Sequence, residues 1–163
     1  EVPYVFATEL GNAKSFNQYL FKIFGLEESD NFSVLESFIS GTGIGKIYAA
    51  RSGQEKSPEA IVDSYNSDEL STEILNSFGK ALGRILADLS LTSMSTGGIY
   101  FAGSLMRALN ELEVMKYLTK EYDDHNSSHH QEILNNIPMN LITKQHTPLY
   151  GNLNYSIVRR LHE

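Results

Sequence analysis

The 163-residue chain contains no cysteine, which excludes disulfides and thiolate-held metals and fits a reducing compartment. It also lacks any run approaching the roughly 18 apolar residues of a membrane helix. No basic segment followed by an apolar stretch opens it, as a secretory leader would. Positive charge is scarce: 13 Lys and Arg stand against 20 Asp and Glu, a formal net charge of −7. Nucleic acid is held mainly through Lys and Arg contacts to phosphate, so this balance disfavours a polyanion partner. Apolar surplus is missing too. The 41% apolar content lies slightly below the globular average of about 45–50% and supports one ordinary core. Together these absences describe a soluble, cytoplasmic chain of one-domain length, with no membrane or nucleic-acid partner. They leave the chemistry open. The first residue is Glu1, so either a leader has been removed or the chain is a piece of a longer one.

What is present is mostly helical periodicity. Phe16, Tyr19, Leu20, Ile23 and Phe24 fall at helical spacing over 13–24, with Asn12 as N-cap and Gly25 as a left-handed stop. A polar turn and the apolar stretch Val34, Leu35, Phe38, Ile39 lead to Gly41-Thr42-Gly43-Ile44-Gly45 and a short helix ending near Arg51. Ser57-Pro58-Glu59 reads as a helix opening, with a capping hydroxyl, a first-turn proline and a carboxylate near the positive dipole end. The longest helix spans about 67–93, where Leu70, Ile74, Phe78, Leu82, Ile85 and Leu89 form a stripe. Asn66 with Glu69 resembles a capping box at its start. Gly79 and Gly83 lie inside it, and each costs about 1 kcal/mol relative to alanine, so another backbone is expected to pack closely there.

Gly98–Ala102 reads as a short buried strand turning at Gly103-Ser104 into a helix from Leu105. Helix over 111–122, a polar loop over 123–130, a small helix near 130–136, a strand over 138–144 and a last helix from Gly151 to Leu161 complete the reading. Strands separated by helices indicate a helix-rich α/β fold. Two strands are too few for an ordinary sheet, which points to a fragment.

Three segments carry chemistry. The first is Leu35-Glu36-Ser37-Phe38-Ile39-Ser40-Gly41-Thr42-Gly43-Ile44. A carboxylate offers two acceptor oxygens to vicinal hydroxyls, and backbone amides at a glycine-rich helix start favour an anion. Taken singly, Glu36 reads equally as a solvated helix residue and the glycines as a plain turn. The second is Gly97-Gly98-Ile99-Tyr100-Phe101-Ala102-Gly103-Ser104, a diglycine strand and turn that lets backbone approach a flat ligand closely. Its plainer reading is a strand and a tight turn. The third is Asn136-Ile137-Pro138-Met139-Asn140-Leu141-Ile142 followed by Pro148-Leu149-Tyr150-Gly151-Asn152.

In order and at suitable spacing, these segments resemble the bacterial glucokinase family, within the wider hexokinase–actin, ribonuclease H-like type of ATPase fold. The resemblance covers nearly the whole chain. It implies an incomplete carboxy-terminal lobe of that fold, with residues 1–163 as its carboxy-terminal portion and the amino-terminal lobe absent. By the resemblance, Glu36 accepts hydrogen bonds from sugar hydroxyls, and Gly41, Thr42 and Gly43 pass the nucleotide side of the cleft. Gly97, Gly98, Gly103 and Ser104 border adenosine, although Ser104 stands where the family commonly has a second glycine. In the third segment Pro148 and Tyr150 replace small and aliphatic residues, and no ligand is assigned to it. Glu1-Val2-Pro3-Tyr4 aligns with a Glu-Gly-Gly-His sugar turn, making Glu1 a second sugar carboxylate and Tyr4 the stand-in for its histidine.

The family's activity implies ATP with Mg²⁺ as cofactors, glucose or a related hexose as partner, and leaves a homodimer open. Its phosphate-cradling Asp-x-Gly-x-Thr turn and the Asn-Asp pair that supplies the catalytic base do not occur in residues 1–163. Neither does its second glycine-rich phosphate turn. Phosphoryl transfer needs positioning, charge neutralisation and a base, so the chain alone is expected to be inactive. The alternative is a non-catalytic kinase-like sugar or nucleotide module, or a scaffold, which the departures at Tyr4, Ser104 and Pro148 favour.

Other features invite weaker readings. Asp123-Asp124-His125-Asn126-Ser127-Ser128-His129-His130 holds metal-ligand residue types, with His125 and His129 four apart, but Asn-Ser-Ser favours a solvated loop. His146 and His162 have no Ser-Asp constellation around them. Arg159-Arg160 suits a helix C-terminus.

Overall fold

Serine hydroxyls start several of the helices. Ser40, Ser57 and Ser127 each accept from the amide three residues on, opening helices at Gly41, Pro58 and Ser128. These belong to a computed structural model that describes residues 13–27, 32, 34–124, 127–145 and 147–160. Its elements are α1 (Ala13–Phe24), a single 3₁₀ turn (Leu35–Ser37), α2 (Gly41–Ser52), α3 (Pro58–Asp63) and α4 (Glu69–Ser93). There follow β1 (Ile99–Phe101), α5 (Ser104–Asn110), α6 (Val114–Asp123), α7 (Ser128–Asn135), β2 (Met139–Leu141) and α8 (Thr147–Arg160). Glu1, Tyr4, Asn12, His125, His146 and His162 lie outside the described residues.

The helix-rich α/β reading holds, and several boundaries move. Helix α4 is capped by Asp68, whose carboxylate accepts from the Leu70 amide, and not by Asn66. Asn66 instead sits at φ 68° and donates its amide to Thr72 Oγ1. The reason is that Asp68 is held from three sides: Lys56 Nζ and Ser71 Oγ at 2.7 Å and Tyr48 OH at 3.0 Å all donate to its Oδ2. Helix α7 starts at Ser128, inside the expected loop, because Ser127 supplies a cap. Helix α8 starts at Thr147, four residues before Gly151. Pro148 then falls in its first turn, where a missing amide costs nothing.

Strands β1 and β2 pair in parallel, Ile99 opposite Met139 and Phe101 opposite Leu141. Only one face of β1 is covered: Phe101 is buried while Tyr100 is 62% exposed, so the strand is not the fully buried one expected.

The main core joins Phe16, Leu20 and Phe24 of α1 to Ile44 and Ile47 of α2, Ile61 of α3, and Ile74, Phe78 and Ile85 of α4. A smaller cluster of Ala87, Tyr122, Leu134 and Ile137 lies under the sheet. Helices α4 and α6 pack backbone to backbone. A Cβ on Gly79 would stand 2.7 Å from the Val114 carbonyl oxygen, and one on Gly83 would overlap the Leu118 carbonyl. The two internal glycines are therefore the contact expected of them. Phe38 drives the segment after the 3₁₀ turn into the core, edge-on to Phe21 at 5.4 Å and stacked on Phe24 at 5.8 Å. Burying such a ring stabilises by about 1.5–3 kcal/mol, which anchors the turn carrying Glu36.

Candidate functional site

Glu36 lies within the 3₁₀ turn, two residues before the buried Phe38. Its side chain is exposed while its backbone is fixed. Ser40 Oγ donates to the Glu36 carbonyl at 2.7 Å and accepts from the Gly43 amide at 2.9 Å. Ser40 and Thr42 hydroxyls also lie 3.0 Å apart. A serine has one proton to give, and it goes to Glu36, so Thr42 is the donor to Ser40. Gly43 completes the joint. A Cβ there would meet the Ser37 carbonyl oxygen at 2.7 Å, so only glycine lets the first turn of α2 rest on the backbone of Glu36 and Ser37.

Two hollows flank this joint. One, of about 150 Å³, is lined by Val34, Glu36, Ser37, Thr42, Gly43 and Lys46. The other, of about 380 Å³, lies between the start of α2, helix α3 and the start of α5. Gly41, Thr42, Val62, Ser104, Leu105 and Ala108 contribute to it, with Glu59 and Asp63 at its side. Thr42 belongs to both. The structure thus brings Glu36, Thr42 and Gly43 together, and separately Gly41, Thr42 and Ser104. The first two amides of α2, on Gly41 and Thr42, are among the donors a helix start leaves without intrahelical partners.

The diglycine segment is placed differently. Gly98, at φ 104°, backs onto Pro138 beside β2, where a Cβ would stand 2.9 Å from the Pro138 oxygen. Gly97 has open space around it. Gly103, at φ 105°, precedes α5 and also faces open space, and Ser104 is the first residue of that helix. The 380 Å³ hollow has Ser104 on its wall, whereas neither Gly97 nor Gly98 lines it.

Reading the sequence missed Lys46, one turn beyond Thr42 on α2, and the α3 residues Glu59 and Asp63. The signals were an i, i+4 step from the motif threonine and the Ser-Pro-Glu helix opening. Also missed was the lock around Asp68. Hydrogen bonds from Lys56, then Ser71, with a weaker one from Tyr48, hold its carboxyl well below the usual range against the opposing effect of desolvation. Lys56 further lies 4.9 Å from the centre of the Tyr48 ring. Among the described residues no three His, Asp or Glu side chains converge as metal ligands, and no helix is long and apolar enough to cross a membrane.

The glucokinase family model matches residues 12–157. A glucokinase of Saccharophagus degradans is 29% identical over 125 residues, which are 71% of this chain and 38% of that protein. A glucokinase of Brucella abortus is 30% identical over 125 residues, again 71% of this chain and 36% of that protein. A solved glucokinase from an Antarctic psychrotroph shares the fold, with a TM-score of 0.66 over 92% of this chain and 46% of that one, at 21% identity. The chain therefore spans little more than a third of the length of these curated relatives. Since the family match runs from the residue before α1 into α8, the chain belongs to the glucokinase family.

Proposed function

We propose that this chain is the carboxy-terminal portion of a cytoplasmic, ATP-dependent hexose kinase that phosphorylates glucose at its 6-hydroxyl. The observation that supports this best is Thr42 standing between two hollows, one holding Glu36 and the other Ser104. In this reading Glu36 accepts from sugar hydroxyls. The α2 start turns its dipole and the Gly41 and Thr42 amides toward the nucleotide side, with Gly43 holding the turn in place. The apolar floor of Val62, Leu105 and Ala108 fits the flat part of a nucleotide, Ser104 stands at its edge, and Gly97, Gly98 and Gly103 shape the strand and turn leading there. Glu1 and Tyr4 add to the sugar side. The family's phosphate turns and its Asn-Asp pair do not occur in residues 1–163. In this reading the triphosphate with its Mg²⁺, and the base that takes the sugar's proton, are therefore held mainly by the amino-terminal portion. The residues of this chain bind and orient; they do not transfer the phosphoryl group.

The test is glucose-dependent ADP release. A full-length parent should show it and the 163-residue chain alone should not. Glu36→Gln in the parent should raise the glucose KM and lower kcat/KM, since a hydrogen bond to a charged group is worth about 1.5–3 kcal/mol. An unchanged KM removes Glu36 from the sugar site. A parent that binds glucose without releasing ADP makes this a non-catalytic module, the reading that Ser104 in place of a family glycine favours.

A further inference from the structure

Lys46 and Glu36 line the same hollow of about 150 Å³. Lys46 follows Thr42 by four residues on α2, so the two share a helix face. The close approach permitted by Gly43 brings that face beside the 3₁₀ turn. Other cations nearby are engaged: Lys56 with Asp68 and Ser71, and Arg51 with Glu73. Among the described residues Lys46 and Glu36 form no ion pair, either with each other or with a neighbour. The hollow therefore presents an acceptor carboxylate and a donor ammonium that are both available to a ligand.

We propose that Lys46 is a specificity-determining residue of this sugar hollow, favouring neutral hexoses over hexoses that carry an ammonium group. The proposal rests on the reading of Glu36 as a sugar carboxylate. A hydroxyl can donate to Glu36 and accept from Lys46 at once, because it has both a proton and lone pairs. An ammonium substituent can only donate. Beside a lone carboxylate it would bind better than a hydroxyl does, since unlike charges attract. Lys46 cancels that advantage by repelling it. The hollow is open to solvent, so the effect is modest and salt-dependent.

The experiment compares kcat/KM for glucose and for glucosamine in the full-length parent, at a pH that keeps the amine protonated. Lys46→Met should lower the glucose-to-glucosamine ratio by about three- to tenfold, as one charge a few ångströms away in water permits. The change should shrink in high salt, and Lys46→Arg should restore the ratio. Dissociation constants from calorimetry give the same ratio if turnover is slow. A ratio unmoved by Lys46→Met, while Glu36→Gln still raises the glucose KM, overturns the proposal and leaves the sugar site standing. If Glu36→Gln changes nothing, the sugar reading itself fails, and the proposal with it.

Discussion

Ser40 ties Glu36 to the start of α2, giving its proton to the Glu36 carbonyl at 2.7 Å and accepting from the Gly43 amide at 2.9 Å. One hydroxyl thus serves as helix cap and as tether for the turn. Ser40→Ala should lower stability by about 0.5–2 kcal/mol, the usual loss for a capping residue. On the proposed reading of Glu36 as a sugar carboxylate, it should also weaken hexose binding by the parent, because Glu36 loses the bond that fixes its backbone. Urea denaturation and sugar titration check the two effects. Unchanged sugar affinity at reduced stability would mean that Phe38 alone holds the turn.

Gly43→Ala tests the same joint from the other side. The added methyl meets the Ser37 carbonyl oxygen at 2.7 Å and the Glu36 oxygen at 3.1 Å, both backbone atoms that cannot swing away. Alanine gains about 1 kcal/mol in helix propensity, yet overpacking of this kind costs about 1–3 kcal/mol. The clash should win. The variant should unfold earlier in urea, and an increase in stability would show that the turn yields freely.

These two residues also show what could be read in advance. Ser-Gly-x-Gly announced a helix start, and Phe38 announced burial, because both signals are local. The motif pointed to Glu36 for a sugar and to Thr42 for the nucleotide side; that the two line one hollow comes only from the way α2 rests on the 3₁₀ turn. Glu59 and Asp63 were not legible, since they reach the larger hollow only when α2, α3 and α5 converge. Nor was Lys46, since it reaches the smaller one only when α2 rests on the 3₁₀ turn. The Asp68 cap was misread for a related reason. Its choice over Asn66 depends on Lys56 and Tyr48, 12 and 20 residues away. Gly79 and Gly83 correctly called for a close neighbour, although nothing in the sequence named α6 as that neighbour.

Gly83→Ala addresses that contact. Its Cβ would overlap the Leu118 carbonyl and lie 3.1 Å from the Tyr122 amide. Helix α6 must then move off α4, opening the core at Leu118. A loss of about 1–3 kcal/mol is expected, beyond the propensity gain. A variant more stable than the parent chain would show that the two helices are not in contact here.

Acid should weaken the chain partly through Asp68. Its folded pKa is depressed, first by the hydrogen bond from Lys56 and then by that from Ser71. A carboxyl of this kind contributes stability that is complete above its unfolded value of about 3.9 and is lost as pH falls through the folded value. Asp68→Asn should therefore be less stable at neutral pH and show a flatter decline below about pH 4. Parallel acid limbs in thermal melts of the two proteins would remove Asp68 from the account.

Two leucines on different helices separate the core from the rest. Leu118 on α6 is 1% exposed, whereas Leu153 on α8 is 57% exposed. Leu118→Ala should cost about 2–5 kcal/mol, because it leaves a cavity where a fully buried side chain stood. Leu153→Ser should change the stability of this chain by no more than about 0.5 kcal/mol. Leu149, Leu153 and Ile157 form an i, i+4, i+8 stripe, the pattern of a helix built to be covered, yet all three are exposed. A periodicity alone would rank Leu153 with Leu118; the packing ranks them apart. If Leu153→Ser lowered the melting temperature as much as Leu118→Ala, α8 would have to pack against the chain in solution, with its apolar stripe buried.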